Sequence, residues 1–202
     1  MTMLKKTISA LFVACIMVIG AAAAGTIFPV TRTDIDGVSR SGYLDEEGRT
    51  VLSFAYAQAG EFADCGLAAV EDEKWQTAVI DREGRLVIPY TASPVSVDFS
   101  EDMVAYRYAD HSVYYTLQGE LVGSYAGALD FFSDGLLLCK SPASGLYSYV
   151  RQDGTAAFEG EYSDAGVFLN GRALVRTTDG AYLAIDAQGQ TLYTLEHDMT
   201  PS

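Results

Sequence analysis

The hydrophobic positions of this chain come in short runs rich in tyrosine, valine, isoleucine and threonine, and glycine punctuates them at nearly constant intervals. Gly48, Gly84, Gly119, Gly154 and Gly189 are spaced by 36, 35, 35 and 35 residues. Before them stand Gly42-Tyr43-Leu44-Asp45, Ala78-Val79-Ile80-Asp81, Val113-Tyr114-Tyr115-Thr116, Ser148-Tyr149-Val150-Arg151 and Leu183-Ala184-Ile185-Asp186. After them run residues 49–54, 85–90, 120–125, 155–158 and 190–195. β-Branched and aromatic residues suit a pleated surface, so each flank is predicted to be a strand. Each glycine is predicted to supply the positive φ that a short hairpin loop needs. Asp45, Asp81 and Asp186 precede three of these glycines by three places, a spacing that lets a carboxylate cap the turn amides.

A second signature follows each hairpin. Tyr56-Ala59-Phe62, Tyr125-Ala128-Phe131 and Tyr162-Ala165-Phe168 repeat one spacing, and the second unit keeps only Phe99, with Ser93 and Ser96 at the other two places. These segments read as connectors whose rings fill the space between neighbouring sheets, each buried ring contributing about 1.5–3 kcal/mol. On this reading Phe131→Ala costs roughly 3–5 kcal/mol. Beyond each phenylalanine lies another strand: Gly66 to Val70, Met103 to Tyr106, Gly135 to Leu138 and Gly171 to Val175. The expected fold is therefore all-β, about five antiparallel three-stranded units of 35-residue period, in a curved open stack or a propeller-like ring. The fifth unit ends after its hairpin. Ile27-Phe28-Pro29-Val30 could form a short strand, confined to an edge by Pro29, and closure into a ring would bring Phe28 near Leu192 or Tyr193.

These elements resemble the WG repeat. Gly42-Tyr43-Leu44-Asp45, Leu86-Val87-Ile88-Pro89 and Phe62-Ala63-Asp64-Cys65-Gly66-Leu67-Ala68-Ala69-Val70 are the stretches most similar to it. The resemblance runs from about Ser41 to Leu195, with Ser41-Gly42 in place of the naming Trp-Gly pair and Trp75 displaced ahead of Gln76-Thr77. It implies a bacterial repeat scaffold with an interaction-based role and carries no catalytic residue with it.

The first 24 residues differ from the rest. Lys5 and Lys6 precede an apolar run from Ile8 to Gly20 that ends in Ala21-Ala22-Ala23-Ala24, the layout of a secretory signal with small residues before a cut near Ala24–Gly25. An uncleaved anchor over residues 7–24 is the alternative. The segment around Cys15 is a poor lipidation box, since apolar residues surround it. The chain thus divides into a signal peptide or anchor (1–24), a leading segment (25–40), the repeat domain (41–195) and a tail (196–202), and is expected to be secreted or held at the cell surface.

Charge narrows the partners. The formal charge is −14, and without Lys5 and Lys6 the remaining 11 basic residues face 27 acidic ones, giving −16. Such a surface repels nucleic acid and anionic membranes, leaving the N-terminal segment as the only membrane contact.

Little in the chain carries chemistry. His111 and His197 are the two histidines, and neither has a nucleophile and an orienting acid around it in sequence, so no catalytic set is assigned. Asp34-Ile35-Asp36-Gly37 has the carboxylate spacing of a calcium loop but lacks its remaining ligands, and neither Cys65 nor Cys139 has metal-ligand company. No metal or cofactor is expected. Most of the 13 tyrosines recur in fixed register, as packing requires; Tyr106, Tyr108 and Tyr115 remain as candidates for an exposed binding face. The expected function is a non-catalytic interaction module for a protein or a cell-envelope polymer. Two alternatives are a carbohydrate or small-molecule binding scaffold and a hydrolase with scattered carboxylates.

Overall fold

The computed structural model describes residues 25–195 except Asp36; the leader and the tail, with Cys15 and His197, lie outside the described residues. Among the described residues seventeen strands form five antiparallel sheets that follow one another along the chain. The first sheet holds β1 (Ile27–Thr33), β2 (Ser39–Asp45) and β3 (Thr50–Tyr56). The second holds β4 (Gln58–Ala59), β5 (Leu67–Glu71), β6 (Gln76–Asp81) and β7 (Leu86–Ala92). The third holds β8 (Ser96–Phe99), β9 (Met103–Arg107), β10 (His111–Thr116) and β11 (Leu121–Ala126). The fourth is the pair β12 (Leu136–Lys140) and β13 (Tyr147–Arg151). The fifth holds β14 (Asp164–Ala165), β15 (Arg172–Arg176), β16 (Tyr182–Asp186) and β17 (Thr191–Leu195).

The turn glycines have φ of 77° (Gly48), 77° (Gly84), 82° (Gly119), 81° (Gly154) and 76° (Gly189). The aspartate caps are in place: Asp45 Oδ1 accepts the amides of Glu47 and Arg49 at 3.1 and 2.8 Å, and Asp81 and Asp186 repeat the arrangement. At Gly119 space matters as much as φ, because an added Cβ would stand 2.0 Å from the Val87 carbonyl oxygen.

The sheets differ from the sequence units in two ways. The connectors contribute a strand of their own, β4, β8 or β14, so the second, third and fifth sheets have four strands. The phase also differs. β5 closes the first sequence unit, yet it pairs with β6, which opens the second, in the register Leu67↔Asp81 through Glu71↔Thr77. Each sheet is therefore assembled from the end of one sequence unit and the beginning of the next. In the first sheet the leading strand takes the corresponding place: β1 pairs with β2 from Ile27↔Asp45 to Thr33↔Ser39. The fifth unit, which ends after its hairpin in the sequence, gains its other strands from the unit before it, so that its sheet has four strands and β1 is not among them. Pro29 sits in β1, an edge strand of the sheet, where proline is tolerated.

Residues 155–158 do not form the expected strand. Only the bridge Val150↔Ala156 survives there. The Arg151 guanidinium donates to the carbonyls of Ala156 and Ala157, while Ala157 and Phe158 turn into the core.

Four apolar clusters fill the four gaps between successive sheets. In three of them a tyrosine from the strand before the turn glycine, Tyr43, Tyr114 or Tyr149, reaches across to the next sheet and donates its hydroxyl to a connector carbonyl: Gly60 at 2.8 Å, Asp130, and Gly166 at 2.6 Å. The facing strand offers a smaller residue, Val70, Cys139 or Val175. Between the second and third sheets the pair is exchanged. Val79 occupies the tyrosine position and Tyr106 stands on the facing strand, so the volume is kept and the hydroxyl loses its acceptor. The connector residues Tyr125, Tyr162 and Phe168 are buried, and Tyr56, Phe62, Phe99 and Phe131 pack half-buried against the clusters.

Candidate functional site

Of the three tyrosines singled out for a binding face, Tyr106 is fully buried, with 0% exposure. It was expected at the surface because its register differs from that of Tyr43, Tyr114 and Tyr149; the difference is the exchange with Val79, and Tyr106 is a core residue. Burial pushes its phenol well above the usual range, with smaller contributions from Tyr115 and Tyr108. Tyr115 is half-buried with its ring edge-on to Tyr106 at 5.5 Å.

Tyr108 has a different setting. The loop between β9 and β10 folds its ring flat against His111, 4.7 Å between centroids with planes 12° apart. His111 Nδ1 lies 2.7 Å from the Asp110 carboxylate, and the hydrogen bond and charge of His111 hold Asp110 below the usual carboxylate range. These residues line a cleft of about 440 Å³ at the seam of the third and fourth sheets, closed on the other side by Gly127, Lys140 and Ser141. The Lys140 ammonium sits 4.8 Å above the Tyr147 ring and 3.2 Å from its hydroxyl. Ser112 is buried below and is held by the Arg107 guanidinium at 3.3 Å. Arg107 also pairs with Asp98 at 2.8 Å and donates to the Tyr114 hydroxyl at 2.7 Å, so it ties the seam together. The cleft thus offers an aromatic face, a cation and hydroxyls. Ser141 Oγ accepts the amide of Ser144 at 3.2 Å, the bond of a turn cap.

Other candidates have structural partners. Asp34 is bound by Arg32 at 3.2 Å and Arg40 at 3.4 Å. Cys65 and Cys139 are both free thiols, in different core clusters, and burial pushes Cys139 up to about 11. Among the described residues no group of three or more His, Cys, Asp or Glu side chains is placed to hold a metal ion.

One residue escaped the reading of the sequence. Trp75, the single tryptophan, has φ of 59° and is 61% exposed. Its turn is built like the Asp45–Arg49 turn: the Trp75 amide donates to the Asp72 carbonyl at 3.0 Å, and Asp72 Oδ1 accepts the amides of Lys74 and Gln76, each at 2.9 Å. Trp75 therefore occupies the place of the turn glycine. The shared Asp-x-x spacing before Gly48 and before Trp75 was the signal that could have found it.

Residues 42–75 match the family model of the WG containing repeat. No curated protein matches the chain. Among solved structures, a eukaryotic initiation factor is similar over 88% of this chain and 53% of its own, at 10% identity and a TM-score of 0.54. BamB from Moraxella catarrhalis aligns over 87% of this chain and 62% of its own, at 15% identity and a TM-score of 0.41. Hsv2 from Kluyveromyces lactis aligns over 80% and 59%, at 9% identity and a TM-score of 0.45. The chain spans less than two thirds of each of these structures. The first likeness bears on the fold alone, an all-β succession of antiparallel sheets.

Proposed function

We propose, from the WG containing repeat at residues 42–75 and the antiparallel sheets that continue it, that this protein is a non-catalytic interaction module working outside the cytoplasm. There it binds another protein or an envelope polymer. The observation that carries this reading is Trp75. A left-handed backbone costs a residue with a side chain about 1–2 kcal/mol, which glycine at the same place avoids. An indole held in solvent at that cost has no packing reason to be there, whereas tryptophan is enriched among the residues that dominate protein interfaces. The extracytoplasmic setting rests on the leader, with its two lysines, apolar run and alanine-rich end.

Because Trp75 is the single tryptophan, the fluorescence of the purified protein reports its surroundings. A purified partner without tryptophan that covers Trp75 should shift the emission to the blue. Trp75→Gly should raise stability by about 1 kcal/mol while abolishing capture of that partner. Capture that survives the substitution removes Trp75 from the interface.

The seam cleft supports a second reading, a carbohydrate or small-molecule site, since sugar rings stack on aromatic faces and the Tyr108–His111 pair supplies one. Binding on a glycan array that Tyr108→Ala removes and Trp75→Gly leaves intact would favour it.

A further inference from the structure

We propose that Asn170 is a modification site, where the protein converts its own asparagine to aspartate and isoaspartate, and that the Asp134 carboxylate of the preceding unit is the latch that sets the rate. Asn170 is the single asparagine of the chain, and glycine follows it. The pair Asn170-Gly171 forms the two-residue turn that leads into β15. The Leu169 amide donates to the Arg172 carbonyl at 2.8 Å, and the Arg172 amide returns a bond to the Leu169 carbonyl at 3.3 Å. Both turn residues are exposed, so water reaches them.

The reaction needs only these residues and water. The Gly171 nitrogen attacks Cγ, the carbonyl carbon of the Asn170 side chain. The N–Cγ bond forms as the Cγ–Nδ2 bond breaks, and Nδ2 departs as ammonia with the proton that the Gly171 nitrogen gives up. A five-membered imide is left. Water then opens the imide at one of its two carbonyls. Addition at Cγ gives aspartate with an ordinary backbone, and addition at the backbone carbonyl gives isoaspartate, whose chain runs through Cβ and Cγ. Nothing is oxidised or reduced. Glycine is the neighbour that hinders the attack least, since it has no Cβ.

The turn controls this step through one peptide group. Asn170 has φ of 53° and Gly171 of 74°, the pattern of a type I′ turn, which holds the Gly171 nitrogen away from the Asn170 side chain. Flipping the Asn170–Gly171 peptide gives the type II′ form, which closes the same two-residue loop and keeps φ positive at its first place. The flip brings the nitrogen alongside Cβ, within reach of Cγ, and turns the Gly171 N–H to the other side of the turn. In the folded chain that N–H donates to Asp134 Oδ2 at 2.7 Å, a charge-assisted bond that the flip must break. The Ser133 hydroxyl donates to the Phe168 carbonyl, so the two neighbouring turns are tied together and the carboxylate stays in place. The preceding turn shows which product fits. Asp134 and Gly135 adopt φ of 50° and 78°, so aspartate is accommodated there. Isoaspartate adds a methylene to the backbone of a two-residue loop and loosens the joint between the fourth and fifth sheets.

Incubation of the purified folded protein at neutral pH, followed over weeks by peptide mass mapping, is the test. The peptide that holds Asn170 should slowly gain the mass difference between asparagine and aspartate, and should gain it faster in urea. Asp134→Gly removes the carboxylate and leaves a residue at ease at positive φ. It should speed conversion of the folded protein about 3–10-fold, the effect of losing one charge-assisted bond at an exposed site, and leave the rate in urea unchanged. If Asp134→Gly loses its cooperative melt, Asp134→Ser serves in its place. The isoaspartyl form, separated by anion exchange, should melt about 2–4 °C below the unconverted protein, whereas Asn170→Asp should melt with it. An Asn170 peptide that stays unconverted in the folded protein, or an isoaspartyl form as stable as the original, would overturn the proposal. So would a rate that Asp134→Gly leaves unchanged, or one that it lowers, since a lower rate would make Asp134 a base that assists the attack.

Discussion

Tyr106 and Tyr149 have the same chemistry and opposite entitlements to their hydroxyls. Tyr149 donates to Gly166 at 2.6 Å, so Tyr149→Phe should cost about 1 kcal/mol by leaving a connector carbonyl unpaired. Tyr106 Oη is buried without a partner, so Tyr106→Phe should be neutral or stabilising by up to about 1 kcal/mol. Urea melts of the two variants decide this, and equal losses would mean that Tyr106 finds an acceptor. The turn glycines separate in the same way. Nothing lies within 4 Å of a Cβ added at Gly48, whereas one at Gly119 meets the Val87 carbonyl at 2.0 Å. Gly48→Ala should therefore cost about 1 kcal/mol from backbone strain, and Gly119→Ala about 2–4 kcal/mol, because β7 must move as well. Thermal melts that place the two variants together would remove the steric part of the argument.

At the scale of elements, the connector does more than its spacing suggested. The Tyr-x-x-Ala-x-x-Phe pattern located the aromatic plugs, and three of the connectors also donate a strand to the following sheet. Burial ranks the plugs. Phe168 is 1% exposed and packs on Tyr149 at 4.8 Å, while Phe131 is half-buried at the margin of its cluster. Phe168→Ala should cost about 3–5 kcal/mol, and Phe131→Ala about half of that, less than its sequence pattern suggested. Chemical denaturation of the pair checks the order, and a larger loss at Phe131 would show that Arg107, 5.2 Å above its ring, carries more of that seam than packing does.

For the whole molecule the tyrosine-rich core sets a limit at high pH. Burial raises the phenols of Tyr43, Tyr106, Tyr114 and Tyr149, with Tyr56, Tyr115 and Tyr162 adding to the first, second and fourth, while Arg107 partly offsets the third. A folded pKa above the unfolded one means stability that is complete below about pH 10, the ordinary phenol value, and lost as pH rises through the folded values. Alkaline titration should show tyrosinate absorbance and loss of the β-sheet circular dichroism in one cooperative step. Ionisation of most tyrosines without unfolding would contradict the burial of these four rings. The acid side behaves in the opposite sense. Asp45 and Asp81 are held low, since the amide and guanidinium bonds of Arg49 and Arg85 outweigh the effect of burial. Their contribution is present above the ordinary carboxylate range and fades as pH falls below it.

The sequence by itself determined the period, the turn glycines, their aspartate caps and the aromatic connectors, because each depends on neighbours a few residues apart. A glycine at positive φ or a carboxylate three places ahead of it needs no distant partner to be recognised. Tertiary structure decided the phase of the sheets, the place of β1, the burial of Tyr106 and the use of Trp75 in a glycine's position. A periodic chain can be cut anywhere within its period, and only pairing across the turn that follows a connector shows where one sheet ends. The exchange of Val79 and Tyr106 is likewise invisible along the chain, since the two residues compensate each other across a gap that exists only once the sheets have stacked.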